Sequence, residues 1–478
     1  MSLLAIAALL APTAGAVIAS IFRSRDLRRF LRIAFAVIGL IVTIAWTHEL
    51  DLLSSLFAIL VSALCVLATA FSTSIFPTTV EAIDPWSRRP VYFMLLGAFW
   101  SCMLVVVGST TFLGVWIGIS ATTVATTFLV GYSGGKAALE AAWKYLILCT
   151  YGIGIALLGM LLLGHAAIDA GIAPSDALSW SVLGAHASGF TSATARVALV
   201  LMIVGFATKA GLVPMHAWLP DAHSKAPAAI SAVLSGLLVS CALYAIMRVQ
   251  AFAGMTTAAA SAVDGALLVL GSISILVAAV LMLAQSDIKR LLSYSTVEHA
   301  GLVAIALGCA SPLGTLAAIY HVINHASAKS LAFLSVGILQ HNHGTTAIGG
   351  LRHVWQRGAS GKLFLGALVG LAGLPPFGLF LSELLIVAAA VAAHQWIALG
   401  CALAGMLLAF AALCRLAITV EAGSERKHSK PAEGARRAPR IALIVTSLAA
   451  SAALVIAIVP FVAWSQGFTR AAASVVLK

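Results

Sequence analysis

Long uninterrupted apolar segments constrain this chain more than any other feature of its sequence. About fourteen of them are long enough to cross a bilayer as a helix, which takes roughly 20 residues. Only 9% of the 478 residues are charged, whereas soluble domains are about a quarter charged. In lipid every backbone polar group must be paired internally, and helices achieve this. We therefore predict an all-α integral membrane protein. The approximate segments are 2–22, 30–47, 52–76, 91–109, 110–132, 139–165, 194–213, 226–248, 265–285, 291–309, 313–340, 361–394, 396–420 and 441–464.

Basic residues alternate between the loops that join these segments. The odd-numbered loops carry most of the lysine and arginine, and the even-numbered loops carry almost none. Positively charged loops stay on the cytoplasmic side, so we expect the odd loops inside and both termini outside. The net charge of +12 reflects this bias, and we expect no nucleic-acid partner. The odd-loop residues are Arg23, Arg25, Arg28, Arg29, Arg88, Arg89, Lys136, Lys225, Lys289, Arg290, Arg352, Arg357, Arg426, Lys427, Lys430, Arg436, Arg437 and Arg440.

The seven cysteines all lie in apolar segments, and none forms a Cys-x-x-Cys pair. Metal and iron–sulfur sites need clustered thiolates. We therefore expect buried cysteines, and neither a metal nor a cofactor in this chain. The first segment has no charged residues ahead of it, which favours a retained helix over a cleaved signal.

Two sequence features recur in the same order, five segments apart. Glu140-Ala-Ala-Trp-Lys144-Tyr-Leu is echoed by His325-Ala-Ser-Ala-Lys329-Ser-Leu, and Ala210-Gly-Leu-Val-Pro214 by Ala372-Gly-Leu-Pro-Pro376. An odd offset reverses the direction of crossing, so we predict two inverted five-helix repeats with broken helices 7 and 12, as in transporters. The predicted parts are helices 1–3 in 1–90, a first repeat in 91–250, a second in 262–420, a basic cytoplasmic linker in 421–440, and a last helix and tail in 441–478.

Ionisable residues next to these breaks are the strongest functional candidates. Lys209 precedes Pro214, and Glu383 follows Pro375 and Pro376. A charge at the bilayer centre costs about 2.5–3.5 kcal/mol, and proline removes a backbone donor, so such a site favours a polar cavity. Desolvation favours the neutral form of an ionisable group, which makes proton exchange feasible. The alternatives are a lysine that extends to the cytoplasmic surface and a structural ion pair for the glutamate.

Further ionisable residues lie inside the segments. Lys144 follows Glu140 by four residues, so the two share a helix face. The residues His321, His325 and Lys329 recur at the same spacing, which predicts a proton relay because histidine titrates near neutral pH. Buried polar packing between helices is the alternative. Glu298 and His299 are adjacent, and we expect their side chains to point to different sides.

The residues that follow Pro214 include His216, Asp221 and His223, which are possible zinc ligands by type. A metal site needs three or four converging ligands. We favour proton uptake or helix capping for these residues.

Several motifs resemble one family of membrane proteins. They are Phe-Ala-Thr-Lys-Ala-Gly-Leu-Val-Pro-Met-His-Ala-Trp-Leu-Pro-Asp-Ala-His-Ser at 206–224, Asp-Ile-Lys-Arg-Leu-Leu-Ser-Tyr-Ser-Thr at 287–296, and the His325 to Leu331 run. The chain is similar to the antiporter-like, proton-translocating membrane subunits of complex I and Mrp type. It is most similar to the hydrogenase-4 and formate hydrogenlyase branch, specifically its F-type subunit.

The resemblance implies proton translocation through Lys209 in one half-channel and through Lys329 with Glu383 in the other. It implies membrane-arm subunits and a peripheral redox arm, hydrogenase-like, as partners, and a multi-pass location in the bacterial inner membrane. Two positions depart from the family pattern: Ser120 stands where a glutamate is expected, and Ser240 where a lysine is common. A stand-alone cation/proton antiporter and a non-conducting structural anchor therefore stay open, and Glu140 is the candidate substitute partner for Lys209.

Overall fold

The computed structural model describes residues 2–79, 85–256, 259–422 and 439–450. Within these ranges the chain is helical and contains no β-strand, as predicted. The helices are α1 (Leu3–Ile21), α2 (Arg25–Trp46), α3 (Leu52–Thr79), α4 (Pro85–Gly108), α5 (Phe112–Val130), α6 (Lys136–Asp169), α7 (Trp180–Ala185), α8 (Ala193–Ala210), α9 (Trp218–Lys225), α10 (Ala228–Val233), α11 (Val239–Met255), α12 (Ala260–Leu283), α13 (Ile288–Gly308), α14 (Pro312–His343), α15 (Ala359–Leu371), α16 (Gly378–Ala392), α17 (Trp396–Ala422) and α18 (Arg440–Ala450).

Twelve helices in the described ranges are long and apolar enough to cross a membrane. The pair α15 and α16 forms one further crossing in two pieces, and α18 is the described beginning of the last predicted segment. The expected count of about fourteen is therefore confirmed, and the protein is a multi-pass membrane protein. Most of the predicted 421–440 linker, and everything after residue 450, lies outside the described residues.

The boundary between the fourth and fifth segments is set by a helix cap. The side chain of Thr111 accepts a hydrogen bond from the backbone N–H of Gly114 and starts α5. Such a cap satisfies one of the N–H groups that have no partner within the helix. The two abutting apolar segments are thus separate helices.

The helix order repeats after five crossings. The long helices α6 and α14, of 34 and 32 residues, occupy the same place in each set. Each is followed by a broken crossing, which is α8 with α9 in the first set and α15 with α16 in the second. The helices α10 and α11 are joined by a π-helical turn at Leu234–Leu238 into one crossing. The division into domains stays a prediction.

The two breaks have the same local form. Gly211 ends α8 with φ +78°, and Gly373 follows α15 with φ +62°. Glycine adopts this left-handed backbone without the penalty that a Cβ imposes. In the first break the Ser274 hydroxyl accepts from Val213 N at 2.9 Å, and Trp218 Nε1 donates to Thr208 O at 3.0 Å. These contacts satisfy backbone groups that the interrupted helix leaves open.

Burial separates interior helices from peripheral ones. The α10–α11 crossing and α13 are buried on all sides, and α14 is nearly so. In contrast, α1 and α2 expose most of their apolar surface. The mid-helix ionisable residues are therefore enclosed by protein, where they do not meet lipid; they are Glu298, His299, His321, His325 and Lys329.

Candidate proton-transfer site

Lys209 lies fully buried one residue before the end of α8. Its Nζ donates to Tyr145 OH at 2.6 Å and to Thr123 Oγ1 at 2.8 Å. The Tyr145 hydroxyl also lies 2.5 Å from Thr126 Oγ1. In the described part of the chain, Lys209 forms no ion pair, so neutral hydroxyls are its hydrogen-bond partners. A buried ammonium without a carboxylate partner is costly when charged.

Ser120 and Ser240, which stand at the two positions that differ from the family pattern, do not bind Lys209. Ser120 donates to Trp116 O at 2.7 Å, and Ser240 donates to Gly236 O at 2.6 Å. Each hydroxyl is thus bound to a carbonyl of its own helix, as is common for serine inside membrane helices. Neither serine replaces the ionisable side chain that the family pattern places there, a glutamate at 120 and a lysine at 240.

Glu140 and Lys144 lie near the beginning of α6, the end that the basic-loop pattern assigns to the cytoplasm. Lys144 Nζ is 2.6 Å from Glu140 Oε1 and 3.2 Å from Asp221 Oδ2, and Asp221 Oδ1 is 2.6 Å from Arg290 NH1. The side chains of Lys144 and Glu140 are 48% and 64% exposed. The predicted i,i+4 pair is present, but Glu140 is not among the partners of Lys209. This exposure favours a surface ion-pair network over a buried relay.

Lys329 is the buried lysine of the second repeat. Its Nζ donates to Ser295 Oγ at 2.6 Å and to Leu292 O at 2.9 Å, both on α13. The lysine is fully buried. It therefore connects α14 to α13 in the same way that Lys209 connects α8 to α5 and α6.

Next to Lys329, three histidines and a glutamate form a continuous group. His299 Nδ1 is 3.1 Å from His321 Nε2, and His321 Nδ1 is 2.9 Å from Ser382 Oγ. His299 Nε2 lies 3.5 Å from Glu298 Oε2, so the adjacent pair approaches each other, contrary to our expectation. The His325 ring stacks on His321 with centroids 6.5 Å apart and lies 5.0 Å from the His299 ring. We call Lys329, Glu298, His299, His321 and His325 the buried polar column.

Glu383 directly follows Ser382, the residue whose hydroxyl contacts His321 of the buried polar column. Its carboxyl group packs against the backbone of Gly373 at the break, where a Cβ added to Gly373 would lie 3.0 Å from Glu383 Oε1. The absence of a side chain at Gly373 therefore leaves room for the carboxylate. The acid that follows the break at Pro375 and Pro376 is thus the next residue after Ser382, whose hydroxyl lies 2.9 Å from His321 Nδ1.

The π-helical turn joins the two repeats at the level of the column. The Ser235 hydroxyl on this turn lies 2.7 Å from Thr296 Oγ1 on α13. Gly236 packs so closely on α14 that an added Cβ would lie 3.0 Å from Ala326 O. Single π-helical turns are frequent at functional sites. No sequence signal identified this turn, because Leu-Ser-Gly-Leu-Leu is compatible with an ordinary α-helix.

Two buried groups were missed or only partly anticipated, and both lie on the side that the basic-loop pattern assigns to the cytoplasm. Lys289, which we had assigned to a cytoplasmic loop, is 2% exposed, and its Nζ donates to Ala226 O at 2.5 Å. His223 is fully buried; its Nδ1 contacts Leu219 O at 2.7 Å, and its Nε2 has no hydrogen-bond partner. The centroid of its ring lies 5.7 Å from that of Phe333, a residue one helical turn after Lys329 on α14. His223 thus lies between the cytoplasmic surface and the column.

A cavity of about 640 Å³ opens on the opposite side of the second repeat. It is lined by the beginning of α12, the end of α13 and the end of α16, and Asp264 is its carboxylate. Gln250 Nε2 donates to Asp264 Oδ1 at 3.2 Å. This side corresponds to the outer face in the predicted topology, so an acid lies in an outward-facing cavity of the same repeat that holds the column.

In the described residues, no three histidine, cysteine or acidic side chains are arranged to hold a metal ion. His216, Asp221 and His223 separate in the structure: Asp221 pairs at the surface and His223 is buried. Their chemistry is therefore that of hydrogen bonding and charge.

The sequence profile of the NADH:quinone oxidoreductase/Mrp antiporter transmembrane family matches residues 109–410. The chain belongs to this family. It is 36% identical over 325 residues to the hydrogenase-4 component F homolog of Methylacidiphilum infernorum, an alignment that covers 66% of each protein. The chain thus spans just under two thirds of the length of that relative.

Solved structures share the whole fold. A chain of the archaeal membrane-bound sulfane sulfur reductase superposes with a TM-score of 0.83 at 22% identity, covering 100% of this chain and 97% of that one. A chain of the Mrp complex from Dietzia sp. DQ12-45-1b gives a TM-score of 0.80 at 20% identity, with coverage of 100% and 97%. The resemblance inferred from the motifs is confirmed, and the family members share one helical architecture.

Proposed function

We propose that this chain moves protons across a bacterial inner membrane as one membrane-arm subunit of a redox-driven complex. The buried polar column carries the proposal. It contains three imidazoles and a carboxyl group in successive contact, with Lys329 one helical turn from His325 on the same helix, and the helices that hold it are enclosed by protein. These groups can both accept and donate a proton, which is what a relay requires.

In the proposed path, a proton enters from the cytoplasm near His223 and reaches Lys329. It then passes through His325, His299 and His321 towards Glu383 and the outer cavity at Asp264. Each transfer leaves the donor neutral or negative and the acceptor protonated, so no other reactant is needed. The Nε2 atoms of His223 and His325 have no hydrogen-bond partner, and His299 Nε2 faces Glu298 Oε2 at 3.5 Å, so all three are available acceptors or donors along this route.

Lys209 has a weaker case than Lys329. Its neutral hydroxyl partners cannot take up a proton near neutral pH, and no carboxylate replaces the expected glutamate. We therefore propose that the second repeat is the main conducting half. A non-conducting anchor is the competing function, and the isolated state of Lys209 is the observation that favours it.

The relatives suggest the partners. The first relative is named as a hydrogenase-4 component, and the similar solved chains come from multi-subunit membrane complexes. We propose that this chain associates with other membrane-arm subunits and a peripheral, hydrogenase-like redox arm. Purification of the intact complex and identification of its soluble subunits tests this assignment. A chain that purifies alone and exchanges a cation for protons in liposomes would support a stand-alone antiporter instead.

The substitution His321→Leu tests the path. We expect redox turnover to continue in membrane vesicles while proton movement falls, because His321 joins His299 to Ser382. His165→Leu is the matched control, since His165 is 69% exposed at the other end of α6. If His321→Leu moves protons as well as the control, the column is not the path.

A further inference from the structure

A cavity of about 240 Å³ lies where α12, α13 and α17 meet at the cytoplasmic side. Its polar lining comes from Gln285, Ser286, Arg415 and Thr419, and apolar side chains complete the wall. The proposed proton path does not pass through it. The cavity is large enough for a phosphate group with part of a glycerol unit.

Arg415 is held at this cavity by the protein. One guanidinium nitrogen, NH1, donates to Leu283 O at the end of α12. A guanidinium has five N–H donors in a fixed plane and cannot lose its charge in a protein. A single carbonyl engages one of them, and the side chain is exposed, so further donors are available to an anion.

The position of Arg415 indicates that the anion comes from the lipid. Arg415 follows the uncharged stretch 396–414 of α17, which is close to the roughly 20 residues that cross the hydrocarbon core, so we place it towards the headgroups on the side that the basic loops assign to the cytoplasm. On the same helix, Leu407 is 69% exposed and Ile418 is 65% exposed. Arg415 therefore lies where the exposed apolar surface of α17 meets the polar cavity. Basic pockets between membrane helices on the cytoplasmic side bind anionic headgroups.

Other charges near the cavity are already engaged. The carboxylate of Asp287, which follows Ser286, accepts from Arg290 N at 3.0 Å and from the Thr346 hydroxyl at 2.5 Å. Arg290 also donates to Gln285 Oε1 at 3.4 Å, which brings a second cation to the cavity wall. The local charge therefore does not exclude an anion.

We propose that this cavity binds the phosphate of an anionic phospholipid, with Arg415 as its main ligand and Ser286 and the second Nε2 proton of Gln285 as further donors. The first Nε2 proton goes to Leu281 O, and the Thr419 hydroxyl donates to Arg415 O. The acyl chains would lie along the exposed apolar surface of α17. Such a lipid would fill the groove between the second repeat and its last helix. The site is separate from the column, so its failure would leave the proposed function untouched.

Native mass spectrometry of the purified intact complex tests the site. The complex is delipidated and supplied with phosphatidylglycerol, with phosphatidylcholine or with inorganic phosphate. We expect retention of phosphatidylglycerol over phosphatidylcholine, and retention about tenfold lower in Arg415→Gln, because a hydrogen bond to a charged group is lost. Arg415→Lys should keep part of the binding. Lys136→Gln, which removes an exposed cytoplasmic cation at the beginning of α6, should keep all of it.

Thr419→Trp provides a second variant that keeps the charge. Thr419 is exposed, so the complex should assemble, and the indole would obstruct the cavity. We expect this variant to lose phosphatidylglycerol as well. Equal retention in wild type and Arg415→Gln would overturn the proposal. Release of the lipid by inorganic phosphate would assign the site to free phosphate, and a cross-link from Arg415 to another subunit with no lipid retained would assign it to a protein contact; both outcomes overturn it.

Discussion

Replacing Gly373 with alanine should displace the Glu383 carboxylate. The new Cβ would overlap Glu383 Oε2 and lie 2.8 Å from Cδ, so the carboxyl group must move by at least about 1 Å to reach ordinary contact. Gly373 also has φ +62°, and an L-residue in the left-handed region costs about 1–2 kcal/mol. The substitution therefore combines a modest loss of stability with a local shift of one acid.

Gly344→Ala separates these two effects. Gly344 ends α14 with φ +72°, and an added Cβ there meets nothing within 4 Å. Both variants should lower thermal stability by a similar amount. Only Gly373→Ala should lower proton movement, by about tenfold, because a misplacement of about 1 Å can cost as much as a hundredfold in a positioned site. The assay is proton uptake by inverted membrane vesicles, normalised to redox turnover. Equal uptake by the two variants would refute the assigned role of Glu383.

Three further substitutions test other parts of the structure. Ser295→Ala removes one of the two acceptors of Lys329, a hydrogen bond to a charged group worth about 1.5–3 kcal/mol, so vesicle proton uptake should fall while assembly on size-exclusion chromatography is unchanged; normal uptake would contradict this. Asp51→Asn leaves Arg248, which is 5% exposed and 2.5 Å from the Asp51 carboxylate, without its counter-charge. It should cost about 3 kcal/mol, seen as a lower melting temperature of the complex; an unchanged melting temperature would show that the pair does not stabilise the fold. Glu140→Gln should keep near-normal proton uptake, because exposed ion pairs contribute about 1 kcal/mol or less; a large loss would put Glu140 in the path.

The fold was predictable because lipid imposes a simple rule on sequence. Apolar segments of spanning length, separated by loops of alternating charge, fixed the number and order of the helices. The breaks at Pro214 and Pro376 were also visible, since proline cannot continue a helix without losing a hydrogen bond. The repeated order of these signals located the two halves.

Part of the candidate site followed from spacing within one apolar segment. Lys329, His325 and His321 recur every four residues, and all three are buried on α14, with the His321 and His325 rings 6.5 Å apart. How deeply a charged side chain is buried near the end of a helix was harder to predict. Lys289 lies beside charged loop residues yet is buried, whereas Lys144 lies inside an apolar segment yet is half exposed. A local sequence pattern shows which residues share one face of a helix. Tertiary packing decides whether a neighbouring helix covers that face.

The networks between distant segments had no sequence signal. Arg248 on α11 meets Asp51 and Ser54, about two hundred residues earlier in the chain. The contact between the π-helical turn and α13 is of the same kind. Such contacts depend on how the helices pack, and a single sequence does not specify partners at that distance.

The number of protons moved per electron pair by the intact complex tests the central claim most directly. It should be measured for wild type, Lys329→Met and Lys209→Met, each reconstituted in liposomes at equal redox turnover. If the second repeat conducts, Lys329→Met should lose the whole contribution of this subunit, and Lys209→Met should lose less. A Lys329→Met complex with the wild-type proton ratio would contradict the account and leave the chain as a membrane anchor.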